Sequence, residues 1–129
     1  PQSGEIDILE LYGSKNDAIV EANIHYADTN NKHAMLTAPH WELEEGKFAD
    51  AFHVFEIEWD EAGIRWLVDG NEYAYASITS DERAEFQEEF FILLNIAVGG
   101  EWAGRPDNST PFPQYMYVDW VRAYQKEKN

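Results

Sequence analysis

Gly4-Glu5-Ile6-Asp7-Ile8-Leu9-Glu10-Leu11 sets three carboxylates inside a run of β-favouring apolar residues. Such a run reads as a strand, and a strand sends alternate side chains to opposite faces. Glu5 and Asp7 therefore share a face that Ile6 and Ile8 do not. Strict alternation would put Leu9 beside them, not Glu10. One extra residue, a β-bulge, returns Glu10 to the carboxylate face, and bulges re-aim side chains next to active sites. Carboxylates crowded on one face repel each other, so the pattern points to a site that uses that repulsion. The competing reading is an acidic strand edge facing solvent.

Glycoside hydrolysis is the chemistry that needs this set. A retaining glycosidase uses one carboxylate as nucleophile and one carboxylic acid as proton donor, about 5–5.5 Å apart across the scissile bond. A third acid between them can hold a proton and orient the nucleophile.

The rest of the chain reads as mostly β, with strands expected at 4–12, 20–26, 34–38, 53–60, 63–68, 72–77, 90–98 and 117–125. Turn-forming residues separate them at 13–17, 28–31, 60–63 and 69–71. Asp69-Gly70 is a strong hairpin signal. A short helix is expected at 80–86, with a loop as the alternative, and 104–113 should be an ordered loop without regular structure.

A chain of 129 residues is expected to form one domain. Nine basic residues against 25 acidic ones leave a formal charge of −16, which repels nucleic acid, anionic membranes and sulfated polysaccharides. A neutral glucan fits that field, although solubility alone also accounts for it. Cysteine is absent, which removes disulfides and thiolate chemistry. No apolar run reaches the roughly 18–20 residues of a membrane-spanning helix.

Glu5-Ile6-Asp7-Ile8-Leu9-Glu10 closely resembles the signature of family 16 glycoside hydrolases, in the bulged form of laminarinases. Residues 52–59 and 64–70 resemble the family's paired outer-sheet strands. Residues 91–104 resemble its late substrate-lining strand and loop, and 116–124 its closing strand. The likeness runs from Ser3 to Gln125 in family order. It implies an all-β fold, an antiparallel β-sandwich of the jelly-roll, concanavalin A-like type. A family domain is roughly twice this length, so 1–129 is expected to be the C-terminal half of one catalytic domain. The N-terminal half is expected from a partner segment of the same enzyme, with pairing of two copies or a self-sufficient fragment as the alternatives.

By position in the motif, the resemblance makes Glu5 the nucleophile, Asp7 the assisting acid and Glu10 the general acid/base. The implied activity is retaining endo-hydrolysis of β-1,3-glucan of the laminarin type, in a secreted or cell-surface enzyme that needs no cofactor for catalysis. A non-catalytic glucan-binding protein and a transglycosylase on the same fold are the alternatives. For substrate binding, Trp102 follows two glycines and suits a sugar-stacking platform. Asn95 sits in an apolar run, where its amide needs a partner, and could face a sugar hydroxyl. His25 could bond near Glu10 or a sugar, Glu101 and Arg105 are rim candidates, and His53 reads as structural. Trp59, Trp66 and Trp120 read as core. Asp119 matches the family's ligand for a structural calcium; a salt bridge is the competing reading.

Overall fold

A computed structural model describes residues 3–13 and 16–126, so Ser14 and Lys15 of the expected first turn lie outside the described residues. Among the described residues seven strands form: β1 (Glu5–Glu10), β2 (Ile19–Ala27), β3 (His33–Thr37), β4 (Trp41–Glu42), β5 (Phe55–Trp59), β6 (Gly63–Val68) and β7 (Asn71–Ser77). β1, β2 and β3 lie side by side with β4 joined to β2, and β5, β6 and β7 make a second sheet. Every pairing is antiparallel.

Alternation along β2 decides what lies between the sheets. Val20, Ala22, Ile24 and Tyr26 are buried, and Ile24 packs in one cluster with Ile64 and Trp66 of β6, Ala74 and Ala76 of β7, and Phe86. Ile6 of β1 and Leu36 of β3 close over its edge. A smaller cluster joins Val20, Phe48 and Val68, with Trp41 and Phe55 packed on it. Burial of such side chains contributes about 1.5–3 kcal/mol each. The odd-numbered residues of β2, Glu21, Asn23 and His25, turn to the other face.

Local chemistry explains the turns. Asp69 and Gly70 link β6 to β7 with φ of 51° and 77°, the pair of positive values that a tight two-residue hairpin demands. The Asp69 carboxylate accepts bonds from the Val54 amide at 2.8 Å and stands 2.7 Å from His53 Nδ1. His53 is thereby structural. Gly63 is required by close approach, since a Cβ there would lie 2.4 Å from the Tyr75 ring.

The chain divides into two compact units, 1–93 and 94–129. All seven strands belong to the first. In the second, Gly100 and Gly104 form an isolated bridge, and the Asp107 carboxylate accepts bonds from the Ser109 amide and hydroxyl at 2.8 and 2.6 Å. The 104–113 loop is thus irregular but internally bonded, as expected.

Three expectations need correction. Segments 90–98 and 117–125 are not strands: they have strand composition, but no described backbone hydrogen-bonds to them in a ladder. Strand character lies in pairing as much as in propensity. The 80–86 helix is a 3-10 stretch at Asp81–Gln87 broken at Arg83, whose φ is −122°. Trp120 is exposed beneath the Arg122 guanidinium rather than buried, whereas Trp66 is wholly buried and Trp59 lies at the rim, bonded to the Phe86 carbonyl.

The Trp66 indole donates to the Asp7 carbonyl at 2.9 Å, across the core from β6 to β1. Trp66→Phe removes that donor and is expected to cost about 2–4 kcal/mol, from an unsatisfied buried carbonyl and a small cavity. Urea unfolding of the full chain measures this, and a loss well under 1 kcal/mol would contradict it.

Candidate active site

The register of β1 on β2 shows the bulge directly. Glu5 faces His25 and Asp7 faces Asn23, a matched step of two; Glu10 then faces Glu21, three residues on against two. The extra residue brings Asp7 and Glu10 to one face with Asn23 and His25, opposite the face where Ile6 meets the core. The strand therefore turns Ile6 to the core and its carboxylates to the opposite side, while Leu9 in the bulge is exposed.

Each carboxylate has a different environment. Glu5 is exposed. Asp7 is largely covered, and burial first, then the charges of Glu10 and Glu5, push its carboxyl up to about 7. His25 Nε2 lies 3.2 Å from Asp7 Oδ2, within ion-pair range though not aligned as a hydrogen bond. Glu10 is held at both oxygens: the Tyr12 hydroxyl donates to Oε1 at 3.0 Å, and Asn23 Nδ2 contacts Oε2 at 2.5 Å. Burial and the Glu10 carboxylate push the Tyr12 phenol up to about 12.

Asn23 and Tyr12 were not singled out from the sequence. Asn23 is a buried polar residue, at 5 % exposure. Its signal was available: an amide midway along an apolar strand, opposite the central acid of the motif. Tyr12 lies two residues beyond Glu10 and gave no comparable signal.

The structure brings Glu5, Asp7, Glu10 and His25 together on β1 and β2. Asn95, Glu101, Trp102, Arg105 and Asp119 belong to the second unit, where all are exposed, Trp102 at 75 %. Among the described residues no three His, Cys, Asp or Glu side chains cluster to hold a metal.

The sequence matches the profile of Glycosyl hydrolases family 16 over residues 1–122. The chain belongs to this family. It is 33 % identical over 127 residues to the clotting factor G alpha subunit of Tachypleus tridentatus, covering 97 % of this chain and 18 % of that protein. It is 32 % identical over 134 residues to glucan endo-1,3-beta-glucosidase A1 of Niallia circulans, covering 97 % and 20 %. The laminarinase catalytic domain of Thermotoga maritima MSB8 superposes with a TM-score of 0.65 at 38 % identity, over 87 % of this chain and 46 % of that one. The chain thus spans about a fifth of those two curated relatives. The fold is the antiparallel jelly roll of family 16 in the part that this sequence covers.

The raised Asp7 carboxyl has a sign for stability. Between the ordinary carboxylate range near 3.8 and about 7, the folded chain keeps a proton that the unfolded chain has lost. The stabilisation is complete below the unfolded value and fades as pH rises through about 7. Asp7→Asn is therefore expected to raise Tm at pH 8 relative to wild type, with the gap closing below pH 4. Thermal melts of the full chain across that range check it, and a gap that widens toward acid would refute it.

Proposed function

We propose that this chain carries the catalytic strand of a retaining endo-β-1,3-glucanase acting on laminarin-type glucan. The single observation behind the reading is the bulged β1, which puts Asp7 and Glu10 on one face with three residues of spacing but two of register. Family membership and the likeness to a laminarinase catalytic domain support it.

In this mechanism Glu5 attacks the anomeric carbon while Glu10 protonates the departing glycosidic oxygen. A covalent glycosyl–Glu5 ester forms and the aglycone leaves. Glu10, now a carboxylate, takes a proton from water, which attacks the same carbon and releases the sugar with its configuration retained. Asp7 sits between them with its proton held first by burial and then by whichever of Glu5 and Glu10 is ionised at that step, and it can lend that proton to Glu5 when the ester breaks. Asn23 Nδ2 donates to Glu10 Oε2 at 2.5 Å and, with the Tyr12 hydroxyl on Oε1, fixes where the Glu10 carboxyl meets the glycosidic oxygen.

A soluble polysaccharide too large to cross a membrane is met outside the cell, so the reading carries a secreted or cell-surface location. Asn95, Glu101, Trp102 and Arg105 are proposed for sugar contact, with the exposed Trp102 ring as a stacking surface. The exposed apolar rows at 91–98 and 116–124 support a further partner, an N-terminal segment of the same enzyme that adds strands against them.

Glu5→Ser in the full enzyme is expected to lower laminarin hydrolysis by at least about a thousandfold while glucan binding persists. Reducing-sugar release and affinity electrophoresis in laminarin gels measure the two. Near-normal turnover in the variant would refute the assignment. Binding without turnover in the wild type would leave a glucan-binding protein instead.

A further inference from the structure

His25 has a second partner that the proposed mechanism leaves unused. Its Nδ1 lies 2.8 Å from Nε2 of His33 on β3. The two rings are within 17° of coplanar and their centroids are 5.1 Å apart. That separation is too long for face-to-face stacking and is what an edge-to-edge N–H···N bond between two imidazoles requires. Strand register explains the meeting. His25 stands opposite Met35 and Ala27 opposite His33, so the two histidines are diagonal neighbours on the same face, within reach of long side chains. His33 is exposed, whereas the Asp7 and His25 side chains are only 15 % and 19 % exposed. Asp7, His25 and His33 thus form a line from the covered carboxyl to solvent.

Only one proton fits between the two imidazoles, and this couples their tautomers. When His25 Nδ1 donates to His33, its Nε2 is bare and stands 3.2 Å from Asp7 Oδ2, so a small turn of the imidazole is needed before it accepts from a protonated Asp7. When His33 Nε2 donates, His25 carries its proton on Nε2 and presents it to an Asp7 carboxylate. The two arrangements interconvert without loss of atoms or charge. Asp7 passes its proton to His25 Nε2 as His25 passes its Nδ1 proton to His33. Asp7 ends as carboxylate, His25 ends neutral in the other tautomer, and His33 ends as imidazolium at the surface, where water takes the proton. We propose that His33 is a positioning residue for the assisting acid: through His25 it selects whether Asp7 carries its proton when Glu5 attacks.

Charges around the line are few in kind. Glu5 and Glu10 on β1 act on Asp7 and hold its proton in place. Glu21 shares their face from β2. Lys32 precedes His33, and the Glu85 carboxylate accepts the Ala27 amide at 3.1 Å. Glu56 and Glu58 of β5 alternate with Ile57, which packs on the core, and so face away.

The inference rests on the glucanase reading for its kinetic consequence but not for its geometry, and the test separates the two. In the full enzyme, 15N spectra of the imidazoles report the His25 tautomer across pH 5–8, and pH profiles of kcat and KM on laminarin report the reaction. In the wild type, the His25 tautomer is expected to change as His33 titrates. In His33→Ala that change should vanish, and a limb of the kcat profile should move by about half a pH unit or more with KM nearly unchanged. His33→Gln, whose amide can bond Nδ1 but carries no titratable proton, should keep turnover at the optimum and also lose the tautomer change. A His25 tautomer that ignores His33 in an active enzyme would overturn the relay. A tautomer that follows His33 in a protein without hydrolysis would uphold the relay and overturn the glucanase reading.

Discussion

The bond from the Trp66 indole to the Asp7 carbonyl joins the two halves of the problem, a core that must be dry and a strand face that must be charged. Trp66 is wholly buried among Ile24, Ile64 and Phe86, so its position is set by packing on all sides. Its N–H needs an acceptor there. The acceptor is the backbone of the bulged strand, at the residue where the register slips. The bond therefore ties the backbone of Asp7, the proposed assisting acid, to a fully buried side chain of the opposite sheet. Catalytic groups gain from that kind of support, because a carboxylate misplaced by a fraction of an ångström loses much of its effect.

Charge is handled by the same division of faces. Glu5, Asp7, Glu10 and Glu21 lie where a uniformly acidic strand pair would be pushed apart. The chain answers with neutral and titratable partners rather than with fixed cations: Asn23 and Tyr12 on Glu10, His25 beside Asp7 and His33 behind it. A lysine at either histidine position would neutralise Asp7 outright and abolish the difference between the acids. Imidazoles leave the proton movable, which is what a two-step displacement with an acid that becomes a base requires.

The motif, the bulge, the Asp69-Gly70 hairpin and six of the strands were legible in the sequence, because each depends on local spacing: period two, one inserted residue, two positive φ angles. The two late strands were misjudged for the opposite reason. Segments 90–98 and 117–125 have the right side chains, yet a strand exists only when another backbone meets it. Trp120 was read as core on the same alternation and lies exposed. The sequence does not single out Asn23, whose importance depends on what faces it across β1, nor Tyr12, since a single hydroxyl after the motif has no pattern to betray it.

By itself the sequence determined the face chemistry of each strand, since alternation and a three-residue gap between acids leave few ways to bury isoleucine while exposing carboxylate. It thereby determined that Asp7 and Glu10 share a side and that the remainder must build a sandwich behind them. Only the tertiary structure decided which neighbours those acids have. That His25 meets both Asp7 and His33, and that Asn23 closes on Glu10, follows from the register of β1, β2 and β3. Register is a long-range property, fixed when Trp66 and Ile24 settle into one core, and no local spacing encodes it.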